Sequence, residues 1–177
     1  MRTLVLGGIR SGKSRWAEDA IANALAPDQP VRYLAAGSLD RADPDWMARI
    51  ARHRDRRPGH WTTEETGDVA RVLQQPPSVP TLVDDLGTWL TGALDRHRGW
   101  DGGSVDEPVA QLLRAVRAFE STLMLVSPEV GLTVVPATAA GRRFADELGS
   151  LNQRVADLCE QVVLVVAGQP LMIKAPA

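Results

Sequence analysis

The chain has 177 residues, 44% hydrophobic and 24% charged, with a net charge of -2 at pH 7. That is enough for one domain with a real core, and too acidic overall to suit a nucleic-acid backbone. A single cysteine, Cys159, excludes an intramolecular disulfide and any cysteine-rich metal site.

The opening run MRTLVLGG is too short for a signal h-region or a membrane span and stops at glycines, so a cytoplasmic protein without a membrane span is expected. TLVLGG (3–8) predicts a strand, and SGKSRWAEDAIANAL (11–25) follows with helical spacing. PVRYLAAG (30–37) reads as a second buried strand and DPDWMARIARHR (43–54) as a helix with Pro44 in its first turn. Further apolar runs at 79–85, 121–127 and 160–168 alternate with helical segments LGTWLTGAL, VAQLLRAVRAF and AGRRFADELGSLNQRVADLC, the last burying Cys159 as a small apolar filler. GWDGGSVDEP (99–108) reads as a flexible surface loop. Continuously apolar strands alternating with helices imply a mostly parallel sheet with helices on both faces, and no linker divides residues 1–177.

GGIRSGKS (Gly7, Gly8, Ile9, Arg10, Ser11, Gly12, Lys13, Ser14) fits G-x-x-x-x-G-K-[ST] between the first strand and helix. Loop amides and the helix N-terminus bind phosphate oxygens there, Lys13 reaches the outer phosphates, and Ser14 can ligate magnesium. The chain has two lysines, Lys13 and Lys174, against eighteen arginines. Lysine is therefore written where a compact ammonium is needed rather than charge alone. The strand VPTLVDD ends in Asp84, placed for a second magnesium contact, and Asp85, an N-cap for the helix that follows.

Two of three histidines, His53 and His60, lie among Arg49, Arg52, Arg54, Arg56 and Arg57. Trp46, Ile50 and His53 share a helical stripe, so His53 emerges at its C-terminal end. A histidine in that place commonly settles the last helix carbonyls, the reading given to His97. Arginines around His53 also disfavour its protonation, and a neutral imidazole is a nucleophile whose phosphate substrate those arginines would bind.

Taken together, GGIRSGKSRWAE, RIARHRDRRPGHWTTEE, LVDDLGTWL, LVSPEVGLTVVP, GRRFADELGSLNQRVA and VVLVVAG resemble, in order and nearly end to end, the bifunctional adenosylcobinamide kinase and adenosylcobinamide-phosphate guanylyltransferases of cobalamin synthesis. The resemblance implies that His53, in the H-R-x-x-R-P segment, is guanylylated, and that His60 is a solvated loop residue. It implies nucleotide contacts from the P-loop, from Ala36, Gly37 and Ser38, from Arg54, Asp55, Arg56 and Arg57, and from Glu65 and Asp84. Glu65 suits guanine, whose N1 and N2 edge offers two donors to one carboxylate, while Glu64 reads as solvated. A homo-oligomer, a trimer in the family, is implied as well.

Asp85 and Gly87 stand where Cys and Thr are common in that family, Pro128 where Asn is usual, and Thr133 at a small, glycine-like position. The expectation is a RecA-like P-loop α/β domain that uses Mg2+, ATP and GTP. Lys13 serves phosphorylation of the corrinoid and His53 carries GMP. The rivals are a single-activity P-loop kinase and a non-catalytic GTP-binding regulator.

Overall fold

The computed structural model describes residues 1–37, 58–76 and 78–176. Seven strands form one sheet: β1 Arg2–Gly7, β2 Arg32–Ala35, β3 Thr62–Glu65, β4 Thr81–Asp84, β5 Leu123–Pro128, β6 Gln161–Val166 and β7 Gln169–Lys174. Their order is β3-β2-β4-β5-β1-β6-β7. All neighbours pair in parallel except β6 with β7. Between them run helices α1 Lys13–Asn23, α2 Val69–Leu73, α3 Leu86–Arg96, α4 Asp106–Ala118 and α5 Ala139–Leu158. The helix expected over 43–54 lies outside the described residues.

The strands are apolar at consecutive positions because both faces are covered. Leu4, Leu123 and Leu125 join Leu34 and Val83 in one cluster with residues of α2, α3, α4 and α5. Val5, Met124 and Val126 point the other way, into a cluster with Ala17 and Ile21 of α1. Each fully buried leucine removes enough apolar surface to contribute about 1.5–3 kcal/mol, so the two layers fix the register of the central strands. Cys159, 1% exposed, caps α5 as the small filler expected, and burial pushes its thiol up to about 12.

Three segments depart from expectation. Within 99–108, Gly99–Asp101 form a 3-10 turn, Val105 is buried, and Asp106 and Glu107 open α4 instead of extending a loop. Acidic residues in a first turn complement the helix dipole, which outweighs the loop-like composition. Residues 62–65 form β3, whose polar sequence TTEE fits an edge strand held by backbone pairing to β2. The run at 160–168 supplies β6 and is followed by a strand that the sequence reading did not include. Ala167 and Gly168, with φ of 51° and 77°, turn the chain back into β7. Parallel strands direct their C-terminal ends to one edge, and there Gly7, Ala35, Glu65, Asp84 and Pro128 emerge together.

Candidate functional site

At that edge the chain leaves β1 through Gly8, Ile9, Arg10, Ser11 and Gly12 and enters α1 at Lys13 and Ser14. The loop curls on itself. The Ser11 amide donates to the Gly8 carbonyl at 3.3 Å, and the Lys13 amide to the Ser11 hydroxyl at 3.3 Å. Gly12 caps α1 with φ 93°, and a Cβ there would sit 3.2 Å from the Cα of Gly168, so both conformation and space require glycine. The β6–β7 turn braces the loop from outside, the Gly168 amide donating to the Ser11 carbonyl at 2.7 Å. The Lys13 ammonium rests on the Gly8 carbonyl, 3.3 Å away, inside the concavity that its own loop forms.

The expected partner of this loop stands across from it. The Ser14 hydroxyl donates to the Asp84 carboxylate at 3.1 Å. The other Asp84 oxygen accepts a hydrogen bond from the Tyr33 hydroxyl. A hydroxyl and a carboxylate from two elements, meeting beside a phosphate loop, are the hard oxygen donors that a magnesium ion takes. Among the described residues no three His, Cys, Asp or Glu side chains gather. Such an ion would complete its shell with water and substrate oxygens, as magnesium commonly does, so these two residues fit it.

Asp85 caps α3, its carboxylate accepting from the Thr88 amide at 2.7 Å, as expected. Burial first, and the neighbouring Asp84 second, raise its carboxyl above the ordinary value, while the Thr88 amide and Lys13 oppose the shift.

Ala36 is buried and its amide donates to the Asp84 carbonyl at 3.0 Å, which brings the exit of β2, with Gly37, beside the same carboxylate. Ser38, His53, Arg54, Asp55, Arg56 and Arg57 lie outside the described residues. Glu65 ends β3 opposite Ala35 and is exposed, whereas Glu64 is the less exposed of the pair and sits on the strand instead of a loop. Beyond Glu65 opens a cleft of about 540 Å³ lined by Gly67, Trp89, Arg96, His97 and Gln111 among others. His97 is the C-cap of α3. His60 occupies a turn with Nδ1 3.8 Å from the Asp28 carboxylate.

Several residues at this edge were not singled out in sequence. Tyr33, the only tyrosine, is 2% exposed on a strand beside the buried Leu34, a position where its hydroxyl needs a partner. On β5, the Ser127 hydroxyl donates to Asn152 Oδ1 at 2.6 Å, and Asn152 Nδ2 donates to the Pro128 carbonyl at 3.0 Å. The departures at 87 and 128 meet in space. A Cβ on Gly87 would lie 2.8 Å from Cγ of Pro128, so the proline ring occupies the room that a side chain at 87 would need. Thr133 is exposed in the loop after β5.

A family model described as cobinamide kinase / cobinamide phosphate guanyltransferase matches residues 3–173. The chain is similar to the bifunctional adenosylcobalamin biosynthesis protein CobP of Pseudomonas aeruginosa, 41% identical over 178 residues covering 98% of each chain. It is similar to the protein of that description, CobU, from Salmonella typhimurium, 35% identical over 188 residues covering 98% of this chain and 100% of the other. Among solved structures, flagellar accessory protein FlaH from Methanocaldococcus jannaschii shares the fold, with a TM-score of 0.51 at 11% identity over 99% of this chain and 78% of that one.

Proposed function

The chain belongs to the cobinamide kinase / cobinamide phosphate guanyltransferase family, bifunctional enzymes of cobalamin synthesis, and from that premise we propose how its residues divide the two reactions. The observation that carries the reading is the Ser14–Asp84 hydrogen bond at the exit of a phosphate loop whose Lys13 ammonium rests on the Gly8 carbonyl.

In the kinase step the cradle amides and Lys13 hold the terminal phosphate of ATP or GTP. The hydroxyl of adenosylcobinamide attacks that phosphorus, and the nucleoside diphosphate leaves. Lys13 gives up its contact with the Gly8 carbonyl for phosphate oxygen, a charge-assisted bond of roughly twice the strength of a neutral one. Ser14 and Asp84 would hold magnesium, which supplies positive charge against the phosphate oxygens when bound.

In the transferase step an imidazole nitrogen of His53 attacks the α-phosphorus of GTP. A P–N bond forms and pyrophosphate leaves. A phosphate oxygen of adenosylcobinamide phosphate then displaces the histidine, giving adenosylcobinamide-GDP. Arg54, Arg56 and Arg57 bind phosphate in this reading, and Asp55 and Ser38 make further nucleotide contacts. Glu65, at the mouth of the cleft, accepts from N1 and N2 of guanine, and adenine offers no such pair.

A cytoplasmic setting, where ATP and GTP are supplied, belongs to the same reading. So does a homo-oligomer such as a trimer, for which the exposed Leu171, Met172 and Ile173 of β7 offer apolar surface. Among the described residues no helix is long and apolar enough to cross a membrane.

The test supplies purified protein with adenosylcobinamide, magnesium and either ATP or GTP, and separates the corrinoids by chromatography. Adenosylcobinamide phosphate with either nucleotide, and adenosylcobinamide-GDP with GTP, are expected. Nucleotide binding without either product would favour a GTP-binding regulator.

A further inference from the structure

Among the described residues, Asp84, Asp85 and Glu129 lie at the strand ends on the side of the phosphate loop, and the first two are committed. Asp84 accepts from Ser14 and Tyr33, and Asp85 caps α3. The third is Glu129, the first residue beyond β5. In the sheet, β5 lies between β1, which leads into the loop, and β4, which ends in Asp84. Gly7 is in register with Pro128, and the Glu129 amide donates to the Gly7 carbonyl at 3.1 Å, so Glu129 rises where the cradle begins. Its side chain is half-buried, and its carboxylate accepts from the Gly131 amide at 2.5 Å. Among the described residues no cation lies within ion-pair distance of it.

A framework of buried contacts holds the backbone immediately before this carboxylate. Asn152, 6% exposed, bonds the Pro128 carbonyl immediately before Glu129 and accepts from Ser127, which is fully buried. Pro128 has a restricted φ, and its ring packs into the space left by Gly87. Burying polar groups is costly unless they are satisfied, and here a satisfied pair is placed under the strand exit that carries Glu129. A carboxylate that follows the strand exit beside the start of the phosphate cradle, with no cation against it among the described residues, can serve the acceptor hydroxyl.

We propose that Glu129 is a further catalytic residue of the kinase step, accepting the proton of the attacking substrate hydroxyl. As the hydroxyl oxygen bonds the terminal phosphorus, the O–H pair stays on that oxygen and the proton passes to the Glu129 carboxylate. The bond from the terminal phosphorus to the bridging oxygen breaks, and its electron pair leaves with the nucleoside diphosphate. Glu129 then releases the proton to water. The Gly131 amide holds the free carboxylate on its side of the site until the substrate arrives.

This rests on the kinase reading above, and the experiment separates the two. Wild-type protein without phosphorylation of adenosylcobinamide would contradict the kinase reading. With wild-type activity present, Glu129→Gln preserves shape and an acceptor for Gly131 while losing the base. Its kcat should fall at least about a hundredfold, the scale of a lost general base, with ATP affinity by calorimetry within about threefold of wild type. Glu129→Ala, read in the same way, covers a failure of the glutamine variant to fold. A kcat within about threefold of wild type overturns the proposal. So does ATP affinity lost in parallel with kcat, because Glu129 would then be shaping the cradle.

Discussion

Replacing Asn152 by leucine removes both bonds that fasten the exit of β5 to α5. The Ser127 hydroxyl, fully buried, loses its acceptor, and the Pro128 carbonyl loses its donor at 3.0 Å. An unsatisfied buried group costs about 1–3 kcal/mol, with the hydroxyl at the upper end and the half-buried carbonyl at the lower. Leucine has the same branching and returns part of this through apolar burial, leaving a loss of about 2–4 kcal/mol. With a urea slope of about 2 kcal/mol/M, the midpoint should fall by about 1–2 M. Tryptophan fluorescence in a urea titration reads it directly. The pair can be isolated by adding Ser127→Ala, which removes the stranded hydroxyl and should recover about 1 kcal/mol in the leucine background while destabilising the wild type. A loss under about 0.5 kcal/mol for Asn152→Leu, or strictly additive effects in the cycle, would refute the network.

Lys13→Ala leaves the cradle without its ammonium. Lys174 lies on β7 and donates to the Ala156 carbonyl at 2.9 Å, so it does not substitute. Kinase kcat should drop at least about a hundredfold, and activity within a few-fold of wild type would remove the cradle from the account. If Glu65 reads guanine as proposed, Glu65→Gln turns an acceptor into a donor against the donors of the base, so ATP should compete better against GTP for adduct formation; an unchanged preference would place base recognition elsewhere. The Glu160 carboxyl, hydrogen-bonded first by the Arg2 side chain, is held down to about 2 from its ordinary 4.5. A depressed folded value stabilises in full above pH 4.5, and the contribution disappears as pH falls toward 2. Urea midpoints of wild type and Arg2→Ala should therefore converge between pH 5 and 2, from a gap under about 1 kcal/mol at this surface pair. A gap constant across that range would contradict the linkage.

Residues whose environment is local were legible in the sequence. The glycine, lysine and serine of the loop, the aspartate closing a buried strand, the capping role of Asp85 and the burial of Cys159 follow from spacing and chemistry alone. The edge strands were not. TTEE carries no apolar alternation, because β3 is held by backbone pairing and its faces stay largely open. The β6–β7 hairpin was signalled only by Ala167-Gly168 between two apolar runs, a short two-residue turn that reads equally well as the end of a strand. Glu129 and Asn152 are separated by 23 positions and acquire meaning only when β5 is placed between β1 and β4. The coupling of Gly87 with Pro128 is likewise tertiary: each looks like an isolated departure until the proline ring is seen in the space beside the glycine.

The central claim is that one histidine of this chain carries GMP between two substrates. Protein treated with GTP and magnesium, quenched in alkali to preserve a P–N bond and digested, should show the mass of GMP on the peptide containing His53. His53→Ala should abolish the adduct while His60→Ala and His97→Ala retain it, and phosphorylation of adenosylcobinamide should persist in the His53 variant. GMP found on His60 or on Lys13, or no adduct in protein that still makes adenosylcobinamide-GDP, would contradict the account.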